Sequence, residues 1–311
     1  MRGVRLEQVW REVRAAHPSP LVIAVILATL AFPIRLIRWR LLLPQQHGRN
    51  YPPGPLWHAV ALGFMANNIL PLRAGELIRS YTASRLAEIR FTTVLSSVAV
   101  ERIFDGLTLV GLLSAALLSS DLPADLHVGG ASVARLTTFA GLMGCLGLLA
   151  GLLVLAAPVT AERLVRRVIS SPGLADRTLS ALEGIRQGLT VLRSPSRLAA
   201  VVLWSLALWT TNALAFYIGF GAFDITVGYW GALLLQGLLV LGIAIPSTPG
   251  FFGPFEAVIV AVLSLYRVPH DLAFSYAISY HVTSFLPITL LGLWSLTQTP
   301  GGLRQLRDSE A

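Results

Sequence analysis

Eight long runs of apolar side chains constrain the fold of this chain more than any other feature. The runs are Pro20–Leu43, Leu56–Leu72, Thr92–Ser119, Val133–Ala157, Leu198–Phe220, Tyr229–Pro246, Pro254–Tyr266 and Leu272–Thr297. A helix needs about 20 apolar residues to cross the hydrocarbon core of a bilayer. Inside lipid the backbone must satisfy its own hydrogen bonds, and a helix does so within one segment. The runs therefore predict an all-α, polytopic integral membrane protein of about eight segments.

The composition excludes several other classes of protein. Charged residues make up 13% of the 311 residues, whereas soluble domains contain about 25%. This deficit excludes an ordinary soluble enzyme, a coiled coil and a disordered chain. The single cysteine, Cys145, excludes an internal disulfide framework. All 24 basic residues are arginine and the net charge is +8, a bias that a GC-rich genome or phosphate binding would produce.

The distribution of arginine predicts the domain organisation and the topology. Residues 1–19 form an amphipathic N-terminal segment, residues 20–299 a single transmembrane domain, and residues 300–311 a short tail. Seven arginines in the loop 158–197 favour a cytoplasmic, amphipathic loop, because arginine-rich loops stay inside. Both termini are then cytoplasmic. We expect the bacterial cytoplasmic (inner) membrane. Arg35, Arg38, Arg40 and Arg49 fall toward the outer end of the first run, so either the topology differs there or these arginines have a function.

Three ionisable residues lie deep within the third apolar run. Glu101 is roughly 14 Å from the start of that run, at 1.5 Å per residue, which is near the middle of the membrane. Asp105 follows four residues later and shares the same helix face, and Arg102 lies between them. Charges at this depth are costly. They form either a structural ion pair or a site for proton relay or headgroup binding.

The second run ends in a polar, helix-breaking stretch. Asn67 and Asn68 precede Pro71, which removes a backbone donor, and Gly75 permits a tight bend. Arg73, Glu76 and Arg79 follow at three-residue intervals. Broken backbone is tolerated at membrane depth where it is buried in protein or lines a wet cavity. The pattern favours a broken or re-entrant hairpin over a span that ends at a cytoplasmic loop.

A second break separates the sixth and seventh runs. Pro246, Pro249, Gly250, Gly253 and Pro254 cannot continue a helix, and Glu256 lies near the positive N-terminal end of the next one. We expect a re-entrant turn, with a plain loop as the alternative. The two breaks occupy comparable places in the two halves of the chain. Paired interruptions of this kind are typical of transporters built from inverted repeats.

The last run contains a histidine at membrane depth, and the sequence contains no recognisable catalytic motif. His281 would either relay protons or make a hydrogen bond in the packed interior. The sequence contains no Walker loop, HExxH, CxxC pair or nucleophile elbow. We therefore do not expect an enzyme, a metal site or a cofactor.

Three blocks in this order resemble the lysylphosphatidylglycerol synthase transmembrane family, which is also called flippase-like. They are Asn67…Arg79, Glu101-Arg102-x-x-Asp105 and Pro246…Glu256, and an Arg38-Trp39-Arg40 element near the first run is similar too. The resemblance covers nearly the whole chain. It implies the lipid-translocating part of such synthases, or a stand-alone relative, some of which are linked to glycan or hopanoid assembly.

Two departures from the family pattern qualify this resemblance. We expect this chain to lack the soluble aminoacyl transferase domain of the full synthases, and so to be a stand-alone member. The last helix offers His281 where the family often has arginine, and Phe251 replaces the second glycine expected after Gly250. Both substitutions leave the identity of the lipid open.

The sequence as a whole predicts a flippase for a lipid with a phosphate-bearing headgroup, either a phospholipid or a polyprenyl-linked lipid. The expected headgroup site comprises Asn67, Asn68, Arg73, Glu76, Arg79, Glu101, Arg102, Asp105, Pro249, Gly250, Gly253 and Glu256, with Arg38 and His281 as further candidates. Arginines would contact phosphate, and the acidic residues would balance them or cycle protons.

Two other classes of function remain open at this point. A non-transporting accessory subunit would present a lipid-linked substrate to a glycosyltransferase or another envelope-biosynthesis enzyme. An intramembrane transferase would need a metal–carboxylate site, for which Glu101 and Asp105 are the candidates. The expected partners are a membrane lipid with an anionic headgroup and such an envelope enzyme, not nucleic acid.

Overall fold

The protein is almost entirely helical. The computed structural model describes residues 6–45, 50–70, 74–119, 194–243 and 248–299, with isolated residues and short pieces between 127 and 183. The helices are α1 (Leu6–Ala15), α2 (Pro18–Leu42), α3 (Pro53–Ile69), α4 (Gly75–Leu86), α5 (Phe91–Ser119), α6 (Pro195–Phe220), α7 (Tyr229–Gly242), α8 (Pro254–Leu265) and α9 (His270–Gln298). Short 3₁₀ turns cover Gly221–Phe223 and Pro249–Phe251. The strands in the described part are the two-residue pair β1 (His127–Val128) and β2 (Ala131–Ser132).

Seven of the eight apolar runs coincide with helices, which confirms the predicted all-α membrane architecture. Four helices, α2, α5, α6 and α9, are long and apolar enough to cross a bilayer. The helices α3, α7 and α8 have 17, 14 and 12 residues, so each is shorter than the roughly 30 Å hydrocarbon core. The run Val133–Ala157, the loop 158–197 and the tail 300–311 lie wholly or largely outside the described residues.

The helices α3 and α4 form an antiparallel hairpin about the first break. The backbone N–H of Gly75 donates to Asn67 Oδ1 at 2.9 Å, and Gly63 lies against Arg79. Residues 67 and 63 of α3 thus face residues 75 and 79 of α4, so the two helices run antiparallel on either side of the break. The hairpin is tight because a side chain at Gly75 would overlap the backbone oxygen of Gly63.

The helices α7 and α8 form a second antiparallel hairpin, about the second break. Gly242 faces Val258 near the break, and Gly231 faces Tyr266 at the far end. The small residues on α7 allow α8 to approach closely. The 3₁₀ turn at the second break contacts α3, and Gly250 lies beside the carbonyl oxygen of Asn68. The described ends of the two hairpins beside the breaks, which we call the hairpin tips, therefore meet.

The order of the elements repeats in the two halves of the chain. A long helix, a hairpin and a second long helix follow one another as α2, α3–α4 and α5, and again as α6, α7–α8 and α9. The leading helices α2 and α6 pack along each other and run antiparallel. At one end the N–H of His17 donates to the carbonyl of Ala222 at 2.8 Å, and at the other Arg197 donates to the carbonyl of Leu41 at 2.5 Å. This is the arrangement expected of an inverted repeat.

Two apolar clusters hold the bundle together on either side of the hairpin tips. One involves chiefly α6 to α9, with Phe220 and Tyr276 among its largest buried side chains. The other involves chiefly α2, α3 and α5, with Trp39 and Leu56 at its centre. The polar site described below lies where elements of both clusters come together.

Candidate functional site

The centre of the site is an ion network between α2 and α5. Arg35 and Arg38 lie three residues apart on one face of α2, and Glu101 and Asp105 lie four apart on the facing side of α5. Arg35 Nη1 donates to Glu101 Oε1 at 2.6 Å, and Arg38 Nη1 donates to Asp105 Oδ1 at 2.5 Å. All four side chains are buried, and Glu101 and Arg38 are 0% exposed.

The hairpin helix α4 joins this network through Arg79. Its two terminal nitrogens donate to the two oxygens of Glu101, at 3.2 and 2.8 Å. The same guanidinium lies over the Trp39 ring, 3.8 Å from its centroid. Such a forked contact is the strongest geometry for an arginine and a carboxylate. Arg79 thereby fixes the first hairpin against α2 and α5.

Helix α6 completes the network from the second half of the chain. Ser205 accepts a hydrogen bond from Arg38 at 3.1 Å, and the Trp209 indole N–H donates to Asp105 Oδ1 at 3.0 Å. Side chains separated by more than 100 residues in sequence therefore share one buried carboxylate. Removing one of these partners would weaken the compensation of a buried charge.

Positive charge exceeds negative charge in this network. Arg102 is the fourth arginine and the only one with a substantial exposed fraction, 39% of its side chain. It lies 3.0 Å from Glu101, 3.5 Å from Asp105 and 3.6 Å from Glu76. Four arginines thus face three carboxylates among the described residues, and two of those carboxylates are fully or almost fully buried. One positive charge is left without a counter-ion.

A cavity of about 290 Å³ adjoins this network and extends to the second break. Arg35, Arg79 and Arg102 line one part of its wall, and Asn67, Asn68 and Glu76 belong to the first hairpin. Gly250, Phe251, Phe255, Tyr280 and His281 line the part formed by the second half of the chain. The interior polar surface is thus contributed by both hairpins and by the long helices that flank them.

The backbone at the second break requires glycine. Gly250 has φ of +64° and Gly253 has φ of +99°, both in the region that other residues rarely adopt. A side chain at Gly250 would approach the carbonyl oxygen of Asn68 to 3.1 Å. Phe251 also has a positive φ, +62°, which explains why a glycine would suit that position. The break is therefore a sharp, specified turn at the cavity wall.

Glu256 and His281 form a second polar pair behind this turn. His281 Nδ1 lies 2.6 Å from Glu256 Oε1, and the other carboxylate oxygen accepts the backbone N–H of Gly253 at 2.6 Å. That second bond satisfies a free donor at the start of α8. The His281 ring stacks between Phe252 and Phe255, with ring centroids 4.4 and 4.1 Å away. The pair is buried, and His281 reaches the cavity.

Comparison with known proteins places this architecture in a family. The model of the lysylphosphatidylglycerol synthase TM region matches residues 1–292. The chain belongs to this family. The match covers both halves of the repeat and every residue of the site, and it confirms the resemblance carried by the three sequence blocks.

Relatives of this chain include three archaeal proteins. The glycosyltransferase AglD of Haloferax volcanii is 25% identical over 89% of this chain and 48% of its own length. The chain thus spans about half of that relative. UPF0104 membrane proteins are 24% identical, over 91% of this chain and 85% of the relative from Methanothermobacter thermautotrophicus, and over 73% and 90% for the one from Methanocaldococcus jannaschii.

The structure brings most of the predicted site residues of this family member to one place, in two layers. The predicted residues that line the cavity are Asn67, Asn68, Glu76, Arg79, Arg102, Gly250 and His281. Glu101, Asp105, Arg38 and Glu256 lie behind them, and Pro249 and Gly253 shape the turn. Arg73 lies outside the described residues.

The position of Arg38 corrects one expectation. Arg38 was a candidate for direct phosphate contact, but it is fully buried, does not line the cavity and donates to Asp105 and Ser205. Arg35, which we did not include in the site, takes that place at the wall. The three-residue spacing from Arg38 was the available signal, since it puts both arginines on one helix face. Arg35 and Arg38 thus pair with α5, whereas Arg40 donates to the carbonyl of Tyr51, and Arg49 lies outside the described residues.

Sequence reasoning also missed the contribution of α6 and α7. Trp209 and Asn212 on α6 and Gln236 on α7 line the cavity. Gln236 is the only amide in a 14-residue apolar helix, and a polar residue at membrane depth is itself a signal of function. That signal was available in the sequence, although the facing elements were not.

Proposed function

We propose that this protein moves a lipid with a phosphate-bearing headgroup between the two leaflets of the membrane. The observation that carries this proposal is the unbalanced arginine charge at the wall of a cavity inside an apolar helix bundle. An uncompensated charge in a low-dielectric interior is costly. A bound anion offsets that cost, and the family to which the chain belongs and the similarity to AglD support a role in lipid or glycolipid handling.

The residues at the wall suit a phosphate group. Arg35, Arg79 and Arg102 present planar guanidinium groups, whose donors match the oxygens of phosphate. Glu101 engages all three of them but carries only one charge. Arg102 is the most exposed of the three, so it is the arginine that we assign to direct phosphate contact.

The size of the cavity suits a headgroup rather than a whole lipid. Its volume of about 290 Å³ is at the lower end of the roughly 300–1,000 Å³ that is usual for small-molecule sites. The acyl or prenyl tails would remain in the surrounding membrane. The exposed apolar side chains on the outer faces of α2, α6 and α9, such as Ile26, Leu203 and Leu290, keep those faces in lipid.

The paired hairpins supply the means of alternating access. Their tips meet at the cavity, and the leading helices of the two halves run antiparallel. In transporters with this arrangement, one half rocks against the other around a fixed site near the midplane. The direct contact of Asn68 with Phe285 and Thr289 on α9 is one of the contacts that such a motion would change.

Reconstitution into proteoliposomes tests this proposal. Phosphatidylglycerol labelled on its tail is quenched from outside by dithionite, and transport brings inner-leaflet label to the quencher. We expect Arg102→Gln to abolish most of this transport, with Arg90→Gln as the matched control at an exposed site outside the cavity. Transport by the Arg102→Gln protein at the rate of the unmodified protein would overturn the assignment of the phosphate site.

A second candidate function is presentation of a lipid-linked substrate to a separate enzyme. One observation favours it: a segment similar to this chain makes up about half of a protein named as a glycosyltransferase. An accessory subunit would use the same cavity to hold the headgroup, without moving the lipid across. Both candidate functions predict arginine-dependent lipid binding. Only the first predicts that external dithionite quenches the fluorescence of label that starts in the inner leaflet.

A further inference from the structure

We infer that the lipid headgroup carries an uncharged, hydroxyl-bearing group beyond its phosphate, and that Asn212 and Gln236 bind that group. This inference rests on the proposed function, because it assumes that the phosphate occupies the arginine side of the cavity. It names the class of lipid: a phospholipid or polyprenyl phosphate with a glycerol or sugar headgroup. It excludes an amino-acylated, cationic headgroup.

Gln236 places a side-chain amide at the cavity wall. The residue is 6% exposed, and it lines the cavity from α7 together with Leu239, Val240 and Ile243. The spacing of these residues puts them on one helix face. The Gln236 side chain makes no hydrogen bond with any described residue, whereas its backbone belongs to α7. An amide in a largely apolar interior costs free energy unless it is paired, so this position is explained by a ligand group that pairs with it.

Asn212 places a second amide at the same wall. It lies three residues after Trp209 on α6, on the same helix face, and both residues line the cavity. Trp209 donates to Asp105, so this face of α6 adjoins the ion network. Within the described part of the chain, the side chain of Asn212 also makes no hydrogen bond. The two amides thus belong to neighbouring helices and adjoin the arginine side of the cavity.

Paired amides are suited to hydroxyl groups. A carboxamide has two donors and one acceptor oxygen, and a hydroxyl both donates and accepts. Two carboxamides can therefore bind adjacent hydroxyls without leaving a charge unpaired. A bare phosphate monoester would use the arginines and leave both amides without partners.

The charges at the wall disfavour a cationic headgroup. Glu76 is the only carboxylate that lines the cavity among the described residues, and Arg102 lies 3.6 Å from it. The carboxylate of Glu256 is already engaged by His281 and by the backbone of Gly253. An ammonium group would face surplus arginine charge with no free acid to receive it.

Three aromatic rings of the cavity wall each have a neighbour stacked on them. Arg35 lies 5.1 Å from the centroid of the Phe64 ring, the Phe255 ring stacks on His281, and Phe216 stacks on Tyr280. A cation binds over the face of an aromatic ring, and at Phe64 an arginine already has that position. These contacts favour neutral hydrogen bonding over recognition of a second cation.

The test compares four lipids and three variants by equilibrium binding to the full chain in detergent. The lipids are phosphatidic acid, phosphatidylglycerol, a polyprenyl-phosphate hexose and lysyl-phosphatidylglycerol. The variants are Gln236→Leu, Asn212→Leu and, as the matched control, Gln298→Leu, which changes an exposed amide at the end of α9. Melting temperature without lipid is measured for each protein.

We expect the unmodified protein to bind a hydroxyl-bearing lipid at least about fivefold more tightly than phosphatidic acid, the effect of roughly one hydrogen bond. Gln236→Leu and Asn212→Leu should each remove this preference while leaving phosphatidic acid binding unchanged. Gln298→Leu should change neither. The hydroxyl-bearing lipid that binds more tightly identifies whether the group is glycerol or a sugar.

The melting temperature separates recognition from a structural role. Leucine removes an unpaired amide from an apolar helix, so Gln236→Leu should melt no lower than the unmodified protein. A lower melting temperature would show that Gln236 holds the fold together and would overturn the inference, as would tighter binding of the lysyl lipid. Arginine-dependent binding of phosphatidic acid with no gain from hydroxyls overturns this inference alone. Failure of every phosphate lipid to bind overturns the proposed function as well.

Discussion

Arg79 donates to both oxygens of Glu101, at 3.2 and 2.8 Å, and so joins the first hairpin to α5. Glu101 also accepts from Arg35 and Arg102, so one carboxylate holds three guanidinium groups. These groups come from α2, α4 and α5. The position of the cavity wall therefore depends on a single negative charge.

Neutralising that charge should unfold this part of the bundle. Glu101→Gln would place four arginines against two carboxylates and would turn an amide donor toward guanidinium donors. Breaking a buried ion pair costs about 3–5 kcal/mol, so we expect a large fall in melting temperature in detergent. Glu88→Gln is the matched control, because Glu88 is exposed.

A network needed for lipid handling and not for folding would give a different result. The Glu101→Gln protein would then accumulate and melt like the unmodified protein while losing lipid transport. Melting temperature and transport measured on the same preparation distinguish the two cases.

The tight first hairpin makes a second prediction. A side chain at Gly75 would overlap Gly63 and Asn67 on α3, so Gly75→Ala should force the hairpin apart and sharply lower membrane yield. At Gly106 on α5, an added methyl group meets nothing within 4 Å. Gly106→Ala should be neutral or stabilising by up to about 1 kcal/mol, since alanine favours helix more than glycine does. Equal yields for the two variants would contradict the close approach.

The third prediction concerns the start of α8. Glu256 accepts from Gly253 through one oxygen and contacts His281 through the other. Glu256→Ala loses both interactions, whereas Glu256→Gln retains one oxygen acceptor. We expect melting temperature to fall in the order unmodified protein, Gln variant, Ala variant, with each lost bond worth about 1 kcal/mol or more. Identical melting of the two variants would show that the contact with Gly253 does not stabilise the turn.

The fourth prediction is the topology, which rests on the arginine distribution alone. With Cys145→Ser as the background, a cysteine placed at Ser180 should be reached by a membrane-impermeant thiol reagent only after the inner membrane is opened. A cysteine at Asp121 should be labelled in intact cells. Labelling of the Ser180 position in intact cells would reverse the predicted orientation of the loop 158–197 and of both termini.

The sequence by itself determined that the described apolar runs are helical and where they break, whereas the helix α4 lies outside those runs. The lipid interior offers no hydrogen-bond partners to the backbone, so an apolar run of sufficient length must form its own bonds as a helix. Proline and glycine interrupt such runs for local steric reasons, which is why the breaks near Pro71 and at Gly250 were predictable. The expected approach of the two breaks followed from their equivalent places in the chain, and the structure brings Asn68 against Gly250.

Only the tertiary structure decided which charges pair and which polar groups stay free. Arg38 reaches Asp105 across 67 residues and Ser205 across 167, and nothing local in the sequence specifies such partners. Arg38 and Arg35 carry the same charge three residues apart, yet one is enclosed and the other lines the cavity. Likewise, Gln236 is the only amide of its helix. Its side chain finds no hydrogen-bond partner among the described residues because of how α5, α6 and α8 pack around α7. Helix formation in lipid is a local requirement, whereas the pairing of buried charges depends on how whole helices pack.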